Sequence, residues 1–180
     1  MSTDRRPIVA IDSSCLAYLA SAINDVNQPS DSLADEKTAL LRILVYASPV
    51  YYNNTVRTEY DNISDEYKKV LHENESAICY RPLLFGLQLV NDIAEEYNTY
   101  HTGEQHLKDC MILAEAELIK ANILLTYDIE FYENLHSHSP YVELLKPSEY
   151  WNLLSISHGA EPIYCPKTIN PMTNELWWRW

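Results

Sequence analysis

Two apolar runs that each end in an aspartate constrain this chain more than any other feature: Ile8-Val9-Ala10-Ile11-Asp12 and, far along the sequence, Ile123-Leu124-Leu125-Thr126-Tyr127-Asp128. A short apolar run without polar alternation describes a strand buried on both faces, the habit of parallel sheets covered by helices. Each aspartate then leaves the sheet at the strand's carboxyl end, where open α/β sheets bind ligands. One such aspartate is most simply a helix cap. Two strands with the same ending put both carboxylates at one edge of one sheet, which capping alone does not predict.

Two more acids lie between these runs. Asp109, in Lys108-Asp109-Cys110-Met111, falls in the first turn of a helix predicted over 107–121. Ile112, Leu113 and Ala116 sit within about a quarter-turn of it and form the core-facing stripe, so Asp109 caps the buried face rather than the solvated one. Glu59, in Thr55-Val56-Arg57-Thr58-Glu59-Tyr60, rests on less, because a lone helical glutamate is usually solvated. Four carboxylates gathered at one sheet edge repel each other unless a divalent cation sits among them, so the pattern points to a metal site.

The chain's 180 residues suit one domain, and 47% hydrophobic residues suffice for a core. Thirteen basic against twenty-six acidic residues leave a net charge of −13 and a pI near 4.7. That surface argues against broad electrostatic wrapping of nucleic acid, although bound metal can reverse the field within one cleft. Cys15, Cys79, Cys110 and Cys165 are scattered without zinc-ligand spacing and read as isolated buried thiols. Asp4-Arg5-Arg6-Pro7 precedes a strand cut short by Asp12, which is not a signal peptide. The longest apolar stretch, around Leu83 to Val90, is interrupted by Gly86 and Gln88. A cytoplasmic protein with no membrane partner is expected.

Strands and helices alternate along the chain. Ser13 or Ser14 caps a helix through Leu16, Leu19, Ala20 and Ile23. A loop over 24–35 leads to a helix over 36–46, then a strand over 49–52. Asn54 or Thr55 caps a helix carrying Glu59, and Ser64-Asp65-Glu66 opens another through Leu71. Ala77 to Tyr80 is a candidate short strand, halted by Arg81-Pro82, and a helix over 83–97 follows. After the helix over 107–121 come a strand over 123–126, a helix over 131–135, a strand over 141–145, and a helix opened by Pro147-Ser148-Glu149. This order implies a three-layer α/β/α sandwich around a mainly parallel sheet. Residues 155–180 differ: Pro162, Pro166 and Pro171 break them up, and they end in Trp177-Trp178-Arg179-Trp180. Such a tail either covers apolar surface on its own domain or anchors a partner or a homodimer, since Trp and Arg dominate interface hot spots.

The arrangement as a whole resembles the PIN domain, the metal-dependent nuclease fold that includes the VapC-type toxins. The matching residues are Ile8-Val9-Ala10-Ile11-Asp12-Ser13-Ser14, Thr55-Val56-Arg57-Thr58-Glu59, Asp109-Cys110-Met111-Ile112-Leu113-Ala114-Glu115-Ala116 and Leu124-Leu125-Thr126-Tyr127-Asp128-Ile129-Glu130-Phe131. Leu145-Lys146-Pro147-Ser148-Glu149-Tyr150 is similar to the family's last strand and the turn after it. The resemblance spans roughly residues 7 to 154, the predicted nuclease domain. The chain departs from the family in Ser13 and Ser14, where Thr and Asn are frequent, and over residues 73–84.

Carried over residue by residue, the resemblance implies Asp12, Glu59, Asp109 and Asp128 as catalytic ligands of Mg²⁺ or Mn²⁺, direct or through water. Ser14 and Thr126 would orient carboxylates or water behind them. The implied activity is endoribonuclease hydrolysis of RNA phosphodiesters by metal-activated water, leaving a 5′-phosphate and a 3′-hydroxyl. For a toxin-like member it also implies an antitoxin protein that inserts an arginine among the carboxylates. Arg57 and Lys108 flank two candidate ligands and are read either as phosphate contacts or as neutralisers of nearby acids. His101 and His106, in a turn before a helix, read as incidental, and the fourteen tyrosines include stacking platforms for bases. A haloacid-dehalogenase-type phosphatase also ends its first strand in aspartate, but needs a second aspartate where this chain has Ser14. The other reading is a catalytically silent PIN-like module that binds RNA or a protein, for which the net charge speaks.

Overall fold

The buried runs pair as parallel strands. In this computed structural model, which describes residues 7–24, 27–47, 49–62, 64, 86–163 and 174–180, β1 (Val9–Ile11) lies between β2 (Val50–Tyr51) and β3 (Ile123–Leu125), and β4 (Glu143–Leu145) pairs with β3. All three pairings are parallel, in the order β2-β1-β3-β4. Val9 faces Ile123, Ala10 faces Leu124 and Ile11 faces Leu125. The Asp12 N–H extends this ladder to the Leu125 carbonyl at 3.1 Å. With that register, the residues after β1 and β3 emerge side by side.

Seven α-helices among the described residues connect and cover the sheet: α1 (Ser13–Asn24), α2 (Ala34–Tyr46), α3 (Asn54–Asp61), α4 (Leu87–Tyr97), α5 (Leu107–Leu118), α6 (Ile129–Leu135) and α7 (Pro147–Leu154). The crossover from β1 to β2 runs one way across the sheet and that from β2 to β3 runs the other. Since such crossovers are right-handed, their helices cover opposite faces. The packing agrees: α2 lies on α7, while α4 and α3 lie on α5. The crevice where the winding reverses, between β1 and β3, is where open α/β sheets hold ligands.

The buried side of α5 is wider than a stripe. Cys110, Ile112, Leu113, Ala114, Glu115 and Ala116 are all buried, because the helix is enclosed by the sheet and by its neighbours α3 and α4. Ala114 and Ala116 allow that close approach. The helix ends at Leu118, short of the predicted 121, where Lys120 turns into the left-handed region at φ 57°.

Several boundaries move for identifiable reasons. The Asp12 carboxylate itself caps α1, accepting the Cys15 N–H at 2.7 Å, because the Ser13 hydroxyl is used on Glu59 and that of Ser14 on Asp12. Asn53, not Asn54 or Thr55, caps α3 by accepting the Val56 N–H at 3.0 Å. Helix α2 opens at Ala34, inside the predicted loop. Strand β4 starts at Glu143 because the Ser139 hydroxyl takes the Tyr141 and Val142 N–H groups at 3.3 and 3.0 Å. At α7, Glu149 accepts the Lys146 N–H at 2.8 Å with Pro147 in the first turn, and Glu36 of α2 accepts both the N–H and the hydroxyl of Ser148. The helix expected from 83 starts only at Leu87, after an extended Gly86; the expected helix through Leu71, the candidate strand at 77–80 and its stop at Arg81-Pro82 lie outside the described residues, as do Cys79 and Cys165.

The C-terminal tryptophans pack on their own chain. Trp178 is buried, and Arg42 of α2 donates to the carbonyls of Trp178 and Arg179 at 3.2 and 3.3 Å while stacking over the Trp180 ring at 4.7 Å. Trp180 meets Trp151 edge-on and donates its indole N–H to the Ile156 carbonyl at 2.7 Å. Among the described residues, no helix is long and apolar enough to cross a membrane. Truncating a buried tryptophan leaves a cavity, so Trp178→Ala is expected to destabilise by about 3–5 kcal/mol. Urea unfolding checks this: a lower midpoint at unchanged m-value is expected, and wild-type stability would mean the tail is not part of the core.

Candidate active site

Thr126 organises the site. Its hydroxyl accepts the Asp128 N–H at 3.0 Å, so its own proton is free to go to Asp12 Oδ2, 2.5 Å away. One side chain thereby ties the carboxyl end of β1 to that of β3. Asp12 is buried, and its two oxygens also receive the Ser14 hydroxyl, at 2.9 and 2.7 Å, and the Cys15 N–H. Burial raises the Asp12 pKa and these donors oppose the rise, Thr126 most strongly. Tyr127 locks the adjoining backbone by donating to the Ser14 carbonyl at 2.5 Å.

Asp128 is the cap of α6, accepting the Phe131 N–H at 3.0 Å through Oδ1. Asp109, in the first turn of α5, completes an electrostatic group of three. Burial pushes its carboxyl up to about 6; a hydrogen bond and charge from His101 pull it back, and the negative charges of Asp128 and Asp12 push it further. Asp109 thus feels the charges of Asp12 and Asp128, and the three come from separate elements. Glu59 borders the group: Ser13, next to Asp12, donates to its Oε2, and Lys108, next to Asp109, lies 3.0 Å from its Oε1.

The two candidate phosphate contacts are both ion-paired. Lys108 meets Glu59, and Arg57 meets Asp61 one turn on at 3.0 Å, with the Tyr52 hydroxyl 3.5 Å away. The buried thiols of Cys15 and Cys110 are free, and burial pushes both pKa values up, Cys110 to about 12, so neither is a nucleophile at neutral pH.

Other residues gain importance from the fold. His101 is almost fully buried with Nε2 3.1 Å from Asp109 Oδ2, and His106 Nδ1 stands 4.0 Å from the same oxygen. The one signal in the sequence was their position just before Asp109. Glu115 is also buried; it accepts the Thr55 N–H at 2.9 Å and so fixes the start of the helix that carries Glu59.

No protein-family model and no curated protein matches the sequence. Among solved structures the chain is similar to VapBC2 from Rickettsia felis, bound to a DNA fragment from their promoter, at 16% identity over 77% of this chain and 97% of that one, with a TM-score of 0.49. It is also similar to FitAcB from Neisseria gonorrhoeae, at 17% identity over 78% of this chain and 98% of that one, with a TM-score of 0.48.

The raised Asp109 carboxyl sets a pH dependence. Folded, it holds its proton up to about 6; unfolded, it releases it near the usual 3.8. The stabilisation from that proton is complete below the unfolded value and is lost as pH rises through the folded one. In chelator, wild-type stability should therefore increase as pH falls from about 7 to about 4.5, more steeply than that of Asp109→Asn. The variant should also be the more stable of the two at neutral pH, since its amide oxygen can still accept from His101. Urea titrations of both proteins across that range test this; parallel pH profiles would count against it.

Proposed function

We propose that this chain is a PIN-like, divalent-metal-dependent endoribonuclease whose site is built on Asp12, Asp109 and Asp128, with Glu59 at its edge. One observation carries the reading: three aspartates from separate elements gather at the β1/β3 crevice, where burial first, and then the charges of Asp128 and Asp12, raise Asp109 to about 6. A helix cap or a surface ion pair accounts for one such acid, not for a buried aspartate whose ionisation is opposed by two more from other elements. The donor set is all carboxylate oxygen, which suits Mg²⁺ or Mn²⁺. When bound there, such a cation would supply Lewis acidity, making water a better nucleophile and neutralising charge on a phosphodiester and its leaving oxygen.

The chain's own residues prepare the site. Thr126, Ser14 and the Cys15 N–H aim only donors at Asp12, which favours its ionised, ligating form. The Phe131 N–H fixes one oxygen of Asp128 and leaves the other for a ligand. Lys108 and Ser13 hold Glu59 at the rim of the crevice. An antitoxin that silenced such a crevice would place an arginine there, whose fork matches paired carboxylates. A silent binding module is the second reading, favoured by the net charge of −13 and by the pairing of both Arg57 and Lys108 with acids.

The test is cleavage of a broad RNA panel by the purified protein in Mn²⁺ or Mg²⁺, with and without chelator. Cleavage that stops on chelation is expected, with Asp12→Asn and Asp109→Asn reduced to background and Thr126→Val slowed about ten- to a hundredfold. The same cation should stabilise the fold by ~2.7 kcal/mol at about a hundred times its dissociation constant. Metal stabilisation without cleavage of any RNA would favour the binding module. Absence of both would remove the metal site.

A further inference from the structure

We propose that His101, His106 and Glu130 form a second metal site, suited to Zn²⁺, that abuts the aspartate cluster through Asp109. The three residues come from different places in the chain: the turn after α4, the short 3-10 turn Glu104–His106, and the first turn of α6. One ligand atom from each lies within 4.8 Å of the others. Zinc bonds of about 2.0–2.2 Å put neighbouring ligands of a tetrahedron roughly 3.3–3.5 Å apart. His106 Nε2 and Glu130 Oε1 already stand at 3.3 Å, and the two imidazole rings are 4.0 Å apart between centroids. Closing the set around an ion needs small shifts, and the groups that must make them are the free ones. Glu130 is 65% exposed and His106 18%, whereas His101 is fixed at the floor with 1%.

His101 is built like a ligand. Its ring is parallel to that of Phe131, and its Nδ1 faces the Asn134 side-chain amide at 3.0 Å. In this tautomer that amide donates to Nδ1 and the Nε2–H donates to Asp109. Turned by half a rotation, Asn134 presents its oxygen, accepts an Nδ1–H and leaves the Nε2 lone pair for a metal. Metal-bound histidines commonly have their other nitrogen held in this way. Asp109 Oδ2, 3.1 Å from Nε2, is then within a few tenths of an ångström of ligand-to-ligand distance and can close the coordination sphere.

The two neighbouring sites would differ in chemistry. Imidazole nitrogen selects Zn²⁺ and its transition-metal relatives over Mg²⁺, while the aspartate crevice offers only hard oxygen. Both would draw on Asp109, so filling one must weaken or strengthen the other. Neither a helix cap nor core packing accounts for His106 and Glu130 converging beside the buried His101.

Zn²⁺ titration of the metal-stripped, full-length protein tests the assignment, with Co²⁺ as a spectroscopic stand-in. About one equivalent of Zn²⁺ should bind, and Co²⁺ should give the visible absorption of a low-symmetry nitrogen–oxygen site. His106→Ala and Glu130→Gln, both partly exposed and so free of folding damage, should each weaken Zn²⁺ binding about tenfold or more and alter that absorption. Asp12→Asn should retain both signals. No Zn²⁺ binding by wild type, or unchanged binding in both histidine-site variants, overturns the proposal. Loss of the signals in Asp12→Asn alone also overturns it, since the ion would then occupy the aspartate crevice. Histidine-dependent Zn²⁺ binding by a protein that cleaves no RNA would sustain this site while removing the ribonuclease reading.

Discussion

A buried carboxylate at the end of β1 is the constraint on which the site depends. Asp12 lies where the parallel ladder runs out, and an unpaired charge there would be expensive. The fold meets this cost with local groups: two hydroxyls, from Ser14 and Thr126, and one backbone N–H. Among the described residues, no lysine or arginine pairs with it. The carboxylate is therefore hydrogen-bonded but not neutralised, which leaves it able to attract a cation. Because the Thr126 hydroxyl also receives the Asp128 N–H, orienting Asp12 fixes the turn that delivers Asp128. Strand register, helix entry and site geometry follow from one small network.

Much of this was legible because parallel sheets write themselves in runs of apolar residues. Ile8 to Asp12 and Ile123 to Asp128 announced both strands and the edge they share, and Ile112, Leu113 and Ala116 placed Asp109 toward the interior. Capping was harder to read, since Asp12, Ser13 and Ser14 are all competent caps. The choice went to Asp12 because Glu59, distant in sequence, takes the Ser13 hydroxyl. The histidines were illegible for a related reason. A turn before a helix looks solvated until α6 folds over it, bringing Phe131 and Asn134 against His101. The tryptophan tail had two readings, and the guanidinium of Arg42, which binds two of its carbonyls and one ring, decides for packing on the chain's own surface at Trp178 and Trp180.

The electrostatics are organised locally against an unfavourable background. A chain with twice as many acids as bases has few cations to hold a polyanion, and Arg57 and Lys108, the two candidates beside the site, are already paired. In the proposed reading, divalent ions supply the missing positive charge where it is needed, and the rest of the surface repels nucleic acid that is not correctly seated. An acidic surface then acts as a filter on binding rather than as an argument against it. The price is dependence on metal: the same crevice without it is a source of repulsion.

That repulsion is set by packing as much as by charge. Asp109 is raised chiefly by burial, and it is buried because α5 is enclosed by α3, α4 and the sheet. The small side chains of Ala114 and Ala116, which let α5 settle deeply, are thus indirectly responsible for the state of a carboxylate one to two turns away. A shallower helix would expose Asp109, lower its pKa and relax the strain on folding, but it would also move the carboxylate away from Asp12 and Asp128. In the proposed reading, stability and cation binding pull on the same helix in opposite directions, a conflict expected where a fold carries a functional site. His101 moderates it. Buried beside Asp109 and held by Asn134, it provides a hydrogen bond that favours the ionised carboxylate without adding a permanent positive charge to the crevice. A lysine in its place would neutralise Asp109 outright and compete with any metal for it, whereas an imidazole can support the carboxylate and still yield to the ion.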